Sequence, residues 1–371
     1  MVPVAVLLVL VAAALPRLLL RPMGETGGEF VRAFYTTVVG PLLGRELPGL
    51  RYAAGRLGSG SDVLGLDDTM SRDHDWGCRL TLLVDEADRA AITHIDGLLA
   101  DQLPDRFRGL PVRFAMTCSP EVEHQVHVTT VRDFAVNRLG VDPLTGLSAV
   151  DWLTLTGQSI LEVTAGPVYH DTIRELTVLR GRLACYPRDV ERYVLACGWQ
   201  RLTQRLQMVG RTAQTGQPLQ SRLLCAGLAG DLMSLAYLLH RRWQPYEKWR
   251  EAQLPRADVL TGPLTRAVTA EDWREREDAL VEAIGVLLAA QRGRGLPVPE
   301  PAVIPFWDRP YRTVAGTVPE VLLADITDPA LTRLPVRAGR VDQWADCVEV
   351  LTHGQRRAAL ATAYQAWTTS D

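Results

Sequence analysis

The 371-residue chain holds a single lysine, Lys248, among 40 basic residues, so arginine supplies nearly all of its positive charge. That scarcity excludes a Walker loop, because no G-K-[ST] follows any glycine-rich turn. The six cysteines (Cys78, Cys118, Cys185, Cys197, Cys225, Cys347) form no C-x-x-C pair and stand apart from histidines at zinc-ligand spacing. They read as reduced thiols of a cytoplasmic protein rather than a zinc site or a disulfide framework. The formal net charge is only -3, which gives no general attraction for nucleic acid or anionic lipid, and no bulk nucleic-acid binding is expected. Internal repeats and long low-complexity tracts are also missing. The apolar run "VPVAVLLVLVAAALP" has the length of a signal peptide but is too short to span a bilayer and lacks a positively charged start. Residues 1–22 therefore read either as a translated upstream extension, with Met23 the true start, or as an apolar anchor. Stable membrane insertion is not expected.

What is present is a 47% hydrophobic composition over a length that buries a large core in two domains or more. Phe30, Phe34, Val38 and Leu42 recur at helical spacing. "PGLRYAAGRLGSGS" reads as a strand entering a glycine turn, "DWGCRLTLLVDE" as the next strand, and "PVRFAM" and "VHVTTV" as two more. Between them Ile92, Ile95, Leu99 and Leu103 share one helical face. From Ser148 and Asp151, a helix-capping start, strand periodicity stops and helices follow. One carries Ile173, Leu176, Leu179 and Leu183; another opens at Pro187. Two longer ones are "LQSRLLCAGLAGDLMSLAYLLHRRW" and "EDWREREDALVEAIGVLLAAQ". The expected class is α+β: residues 23–147 form an α/β domain with a mixed sheet, 148–295 an all-α bundle. Residues 296–371 form a Pro-rich connector and a C-terminal helical segment.

The stretch "GSGSDVLGLDDTMSRDHDWG", Gly58 to Gly77, carries the chemistry. Glycine lets backbone approach phosphate oxygens and serine adds a hydroxyl donor, so Gly60 and Ser61 are read as a phosphate cradle. On a strand, Asp73 and Asp75 would point the same way with Cα atoms about 6.6 Å apart. Two carboxylates about 4 Å apart repel by roughly 4 kcal/mol at an effective dielectric of 20, so such a pair favours a bound divalent cation. Magnesium suits it, because triphosphate oxygens and water complete its shell. Ser71 joins Gly60 and Ser61 among the nucleotide-binding candidates.

This pattern resembles the nucleotidyltransferase superfamily, in which a helix-borne Gly-Ser precedes a strand-borne Asp-x-Asp by about a dozen residues. More closely, the chain resembles the bacterial domain-of-unknown-function 4037 family, through "YAAGRLGSGSDVLGLDDTMSRDHDWG", "VTTVRDF", "DWLTL", "LEVTAGPVYHD", "YEKW", "WDRPYR" and "VDQWADCVEVL". The resemblance implies a fold like that of kanamycin-type and streptomycin-type nucleotidyltransferases: an N-terminal catalytic sheet followed by a helical domain. It implies that Gly60 and Ser61 bind the triphosphate of ATP and that Asp73 and Asp75 bind magnesium. A hydroxyl of a small molecule, RNA end or protein would then attack the α-phosphorus and release pyrophosphate. The chain departs from the family over a third carboxylate, since "VHVTTV" offers His127 and Thr129 instead. His127 is the candidate proton acceptor, with Glu123 or Asp133 as substitutes if the strand lies elsewhere. Without a third acid, a nucleotide-binding protein that does not catalyse is the alternative. Lys248 is a candidate point charge against phosphate. Arg309 and Arg312 are further phosphate candidates, and His170 and Asp171 are read as hydrogen-bonding at a helix start.

Overall fold

The computed structural model describes residues 25–72, 74–117, 119–335 and 338–369. The readings placed on residues 1–22, on Asp73 and on Cys118 lie outside these. The chain divides into two compact units: residues up to Thr129 with Ala165–Ile173, and Thr130–Thr164 with Arg174–Asp371.

The first unit begins with α1 (Gly27–Phe34), a π-helical turn (Tyr35–Val39) and α2 (Gly40–Glu46). Thr26 and Glu29 satisfy each other's backbone N–H groups in a reciprocal cap at the start of α1. Phe30, Phe34 and Leu42 are buried as their spacing predicts, but Val39 takes the buried place expected of Val38. The wider π turn rotates the apolar stripe by about one residue. The strands β1 (Tyr52–Gly55) and β2 (Leu80–Val84) follow, then α3 (Ile92–Gln102). The short β3 (Arg106–Phe107) and β4 (Leu110–Pro111) pair with each other, as do β5 (Arg113–Met116) and β6 (Ser119–His124). Then come β7 (Val126–Thr130) and β8 (Val168–Asp171). The main sheet runs β7-β2-β1-β8, with β1 antiparallel to both β2 and β8. "VYHD" is therefore an edge strand and not a helix start, and His170 lies with its ring 4.4 Å from that of Tyr52. One sheet face, carrying Tyr52, Ala54, Leu82, Val84, Val126 and Val128, packs against Phe34, Leu43, Ile95 and Leu99. The buried β1 and β2 explain why their sequences are apolar without alternation.

The second unit is helical: α4 (Val131–Leu139), α5 (Ala149–Thr154), α6 (Gly157–Thr164), α7 (Glu175–Arg182), α8 (Arg188–Gln214), α9 (Pro218–Leu239), α10 (Ala257–Thr269) and α11 (Trp273–Gly293). A hairpin of β9 (Val303–Pro305) and β10 (Arg312–Val314) leads to α12 (Thr317–Leu323), α13 (Pro329–Thr332), α14 (Val348–Leu351), α15 (Gly354–Ala359) and α16 (Ala361–Thr369). The mixed sheet followed by this helical region makes the class α+β. Ser148 and Asp151 form the expected reciprocal cap on α5. Helices α8, α9 and α11 enclose the main core, where the Trp199 indole donates to Gln291 Oε1 at 2.6 Å. Buried Glu191 sits between the guanidinium groups of Arg241 and Arg294. Among the described residues α9 alone is long and apolar enough to cross a membrane, and half of its apolar window is buried inside the protein.

Candidate functional site

The β1 strand ends at Gly55, and the next residue, Arg56, turns its guanidinium into the protein rather than toward solvent. Arg56 and Asp62 are 2% and 4% exposed and meet through two contacts, Nε to Oδ2 at 2.6 Å and Nη2 to Oδ1 at 2.8 Å. The same guanidinium donates to the carbonyl oxygens of Leu57 and Ser59. The Gly-Ser loop is thus wound around a buried cation. Gly60 sits at φ +137°, and a Cβ there would lie 2.3 Å from Asp62 Oδ1 and 2.5 Å from Arg56 Nη2. Only glycine fits this position. The backbone N–H groups of Ser59, Gly60 and Ser61 bond to none of the described residues, and Ser59 and Gly60 are exposed. Successive open amides of this kind form a concavity that suits an anion. The segment is a bend and turn among the described residues, not the helix that the resemblance implies.

Asp75 departs from the expectation more sharply. It lies in a bend at φ 52°, five residues ahead of β2, so it is not strand-borne and the i, i+2 argument does not place it beside Asp73. Gly77, at φ +136°, and the bend at His74 and Asp75 come first, and the strand starts only at Leu80. Asp75 Oδ1 accepts the Thr117 N–H at 2.7 Å, and Oδ2 lies 3.4 Å from His74 Nδ1. Partial burial raises its pKa, but the Thr117 hydrogen bonds, His74 and the Arg79 charge together outweigh that and hold the carboxyl below its usual range. Ser71 is tied into a short 3-10 turn, its N–H and hydroxyl both on Asp68 Oδ1 at 2.8 and 2.9 Å. His127 is exposed on β7, on the face opposite the buried Val126 and Val128.

The register brings these pieces together. Gly55 pairs with Thr81 and with Val168, and Leu80 N–H bonds to the Gln125 carbonyl. The Gly-Ser loop, the Asp75 bend and the start of β7 therefore share one end of the sheet. Glu123 is exposed on β6 and Asp133 receives the Thr130 cap in the first turn of α4. Lys248 belongs to the other unit, in the turn Glu247–Trp249, with its ammonium 4.8 Å from the Trp249 ring centre. Arg312 is committed to Glu277 and Asp278, and Arg309 lies over the Phe306 ring.

Sequence reasoning missed three supporting groups: Arg56, Asp62 and Asp67. Buried Asp67 accepts the Gly27 N–H at 2.8 Å and the Trp76 indole at 3.2 Å, tying the start of α1 to the residue after Asp75. Its Oδ1 has no partner among the described residues.

No curated protein matches the chain. Among solved structures, a nucleotidyltransferase-like protein from Exiguobacterium sibiricum is similar at 14% identity and a TM-score of 0.32, with 71% of this chain and 77% of that one covered. Residues 152–250, beyond the Gly58–Gly77 stretch, match the family model described as a domain of unknown function, DUF4037, and through that segment the family resemblance read from the sequence holds.

Proposed function

We propose that the chain is a nucleotidyltransferase that moves a nucleoside monophosphate, AMP from ATP, to a hydroxyl acceptor with magnesium. The observation that carries this reading is the shared sheet end, where a loop with three open amides, an acidic bend and a histidine-bearing strand meet. The amides of Ser59, Gly60 and Ser61 would bind phosphate oxygens, and the Ser61 hydroxyl adds a fourth donor. Arg56 holds that loop from behind, through Ser59 and Leu57.

A magnesium ion fits the donor set. It needs only one or two carboxylates when triphosphate oxygens fill the remaining positions, and Asp75 keeps Oδ2 at the partly exposed rim. Asp75, together with Asp73, would hold it. Bound there, magnesium would neutralise charge building on the phosphates. The protein's own contribution is positioning, with an imidazole at His127 on the same sheet end to accept the acceptor hydroxyl's proton.

The test is transfer of label from ATP labelled at the α-phosphate to a metabolite extract, an RNA pool or the protein itself. Transfer that Asp73→Asn and Asp75→Asn each abolish supports the reading; equal transfer by variants and wild type removes it. A second reading, nucleotide binding without transfer, is favoured by the Asp75 carboxylate already engaged by Thr117 and by a histidine where a third acid would stand. Calorimetric ATP binding with no transfer to any acceptor would select it.

A further inference from the structure

The second unit contains a cleft of about 110 Å³ that nucleotide chemistry at the sheet leaves unused. One wall joins the start of α6 to the segment 244–250. The two fit closely: a Cβ on Gly157 would lie 2.3 Å from the Gln244 carbonyl oxygen, and Gln158 Oε1 accepts the Tyr246 N–H at 3.0 Å. The facing wall is the turn Val341–Gln343 with α14. Each wall includes part of a stretch that the phosphate chemistry did not absorb, "YEKW" in the first and "VDQWADCVEVL" in the second.

Pro245, Val348 and Leu351 give the cleft apolar sides. Its charges nearly cancel. Glu247 accepts from Arg250 at 2.9 Å, and Asp342 is held by the buried Arg340, so two acids face two guanidinium groups. Asp346 is the remainder: it is exposed, it lines the cleft, and it has no hydrogen bond or ion pair with any described residue.

We propose that this cleft binds a small organic cation, an ammonium group on a short apolar body. The body replaces water against Pro245, Val348 and Leu351, and the ammonium supplies the counter-charge at Asp346. A neutral analogue would keep the apolar contact and lose the charge. An anionic one would meet Asp346 with the wrong sign.

The experiment titrates n-butylammonium, 1-butanol and butyrate into the full-length protein at low salt, followed by ligand-observed NMR. Saturable binding of n-butylammonium is expected, at least about tenfold tighter than 1-butanol, with no saturation by butyrate. Asp346→Asn should erase that tenfold preference while leaving 1-butanol unchanged, and Asp258→Asn, an exposed acid outside the cleft, should change neither. Equal binding of the alcohol, an unaltered preference in Asp346→Asn, or failure of n-butylammonium to saturate would each overturn the proposal. None of these outcomes depends on nucleotide transfer at the sheet.

Discussion

Replacing Asp62 by Asn tests whether the Gly-Ser loop is built on a buried charge. In the wild type the two side chains are 2% and 4% exposed, and Asp62 takes two of the guanidinium's hydrogen bonds, at 2.6 and 2.8 Å. At a charge separation near 4 Å and an effective dielectric of 20, the attraction is about 4 kcal/mol. Asparagine keeps the shape but removes the charge and one acceptor, leaving a cation with no counter-ion in a site closed to water. The expected loss is about 3–5 kcal/mol, the range for a buried pair deprived of one partner. Native-state hydrogen exchange of the Ala53 and Ala54 amides reads it within the sheet itself, without requiring the whole chain to unfold in one step. Glu86→Gln, which breaks an exposed pair with Arg89, should cost about 0–1 kcal/mol in the same assay. If Asp62→Asn costs no more than that control, the loop does not rest on the pair. Exchanging both partners, Arg56→Met with Asp62→Leu, should recover much of the stability. It should not recover ATP binding, because the guanidinium contacts to Leu57 and Ser59 would be gone.

Gly140→Ala should destabilise the second unit by about 2–4 kcal/mol in urea denaturation, because φ is +78° and a Cβ would lie 2.0 Å from the Gly354 carbonyl oxygen, backbone against backbone. The folded-state pKa of Asp75 lies below its ordinary 3.8, so the stability it adds is complete above that ordinary value and is lost as pH falls through the folded one. Asp75→Asn should therefore flatten the acid limb of the stability curve below about pH 4 and leave its neutral part reduced, measured by exchange at the Thr117 amide. Cys347 is exposed, whereas burial pushes the Cys78 and Cys197 thiols up to about 12 and Cys225 to about 11. Cys347→Ser should remove a fast phase of thiol labelling at neutral pH; an unchanged trace would show that Cys347 is not the reactive thiol.

The helices were legible where period and punctuation agreed. Pro187 sits at the N-cap of α8, Ser148 and Asp151 cap α5, and Ile95 and Leu99 on α3, with Leu103 just past its end, are buried as their spacing requires. What escaped was non-local. "VYHD" has too few residues to show a strand period, and its strand character comes from pairing with Ala53 and Ala54, more than a hundred positions earlier. Helix α10 carries Pro263 inside it and so hides behind a residue that ordinarily marks a break. At the site, the turn at Gly60 and Ser61 was readable, but nothing in the sequence singled out Arg56 among the many arginines. Its burial follows only from the geometry of Asp62 and the turn. Asp75 misled because apolar residues close behind it suggested an earlier strand start, while the left-handed bend before Leu80 is set by tertiary contacts such as Thr117.

The β8 strand has a further consequence for how this protein can be taken apart. Its residues come from the middle of the helical region, yet they cover the outer side of β1 in the sheet. A fragment ending at Thr129 would leave β1 with a bare row of peptide groups on an apolar strand, a surface prone to pair with other copies. Expressing the sheet by itself therefore calls for grafting residues 165–173 back on, not for trimming at a point along the chain.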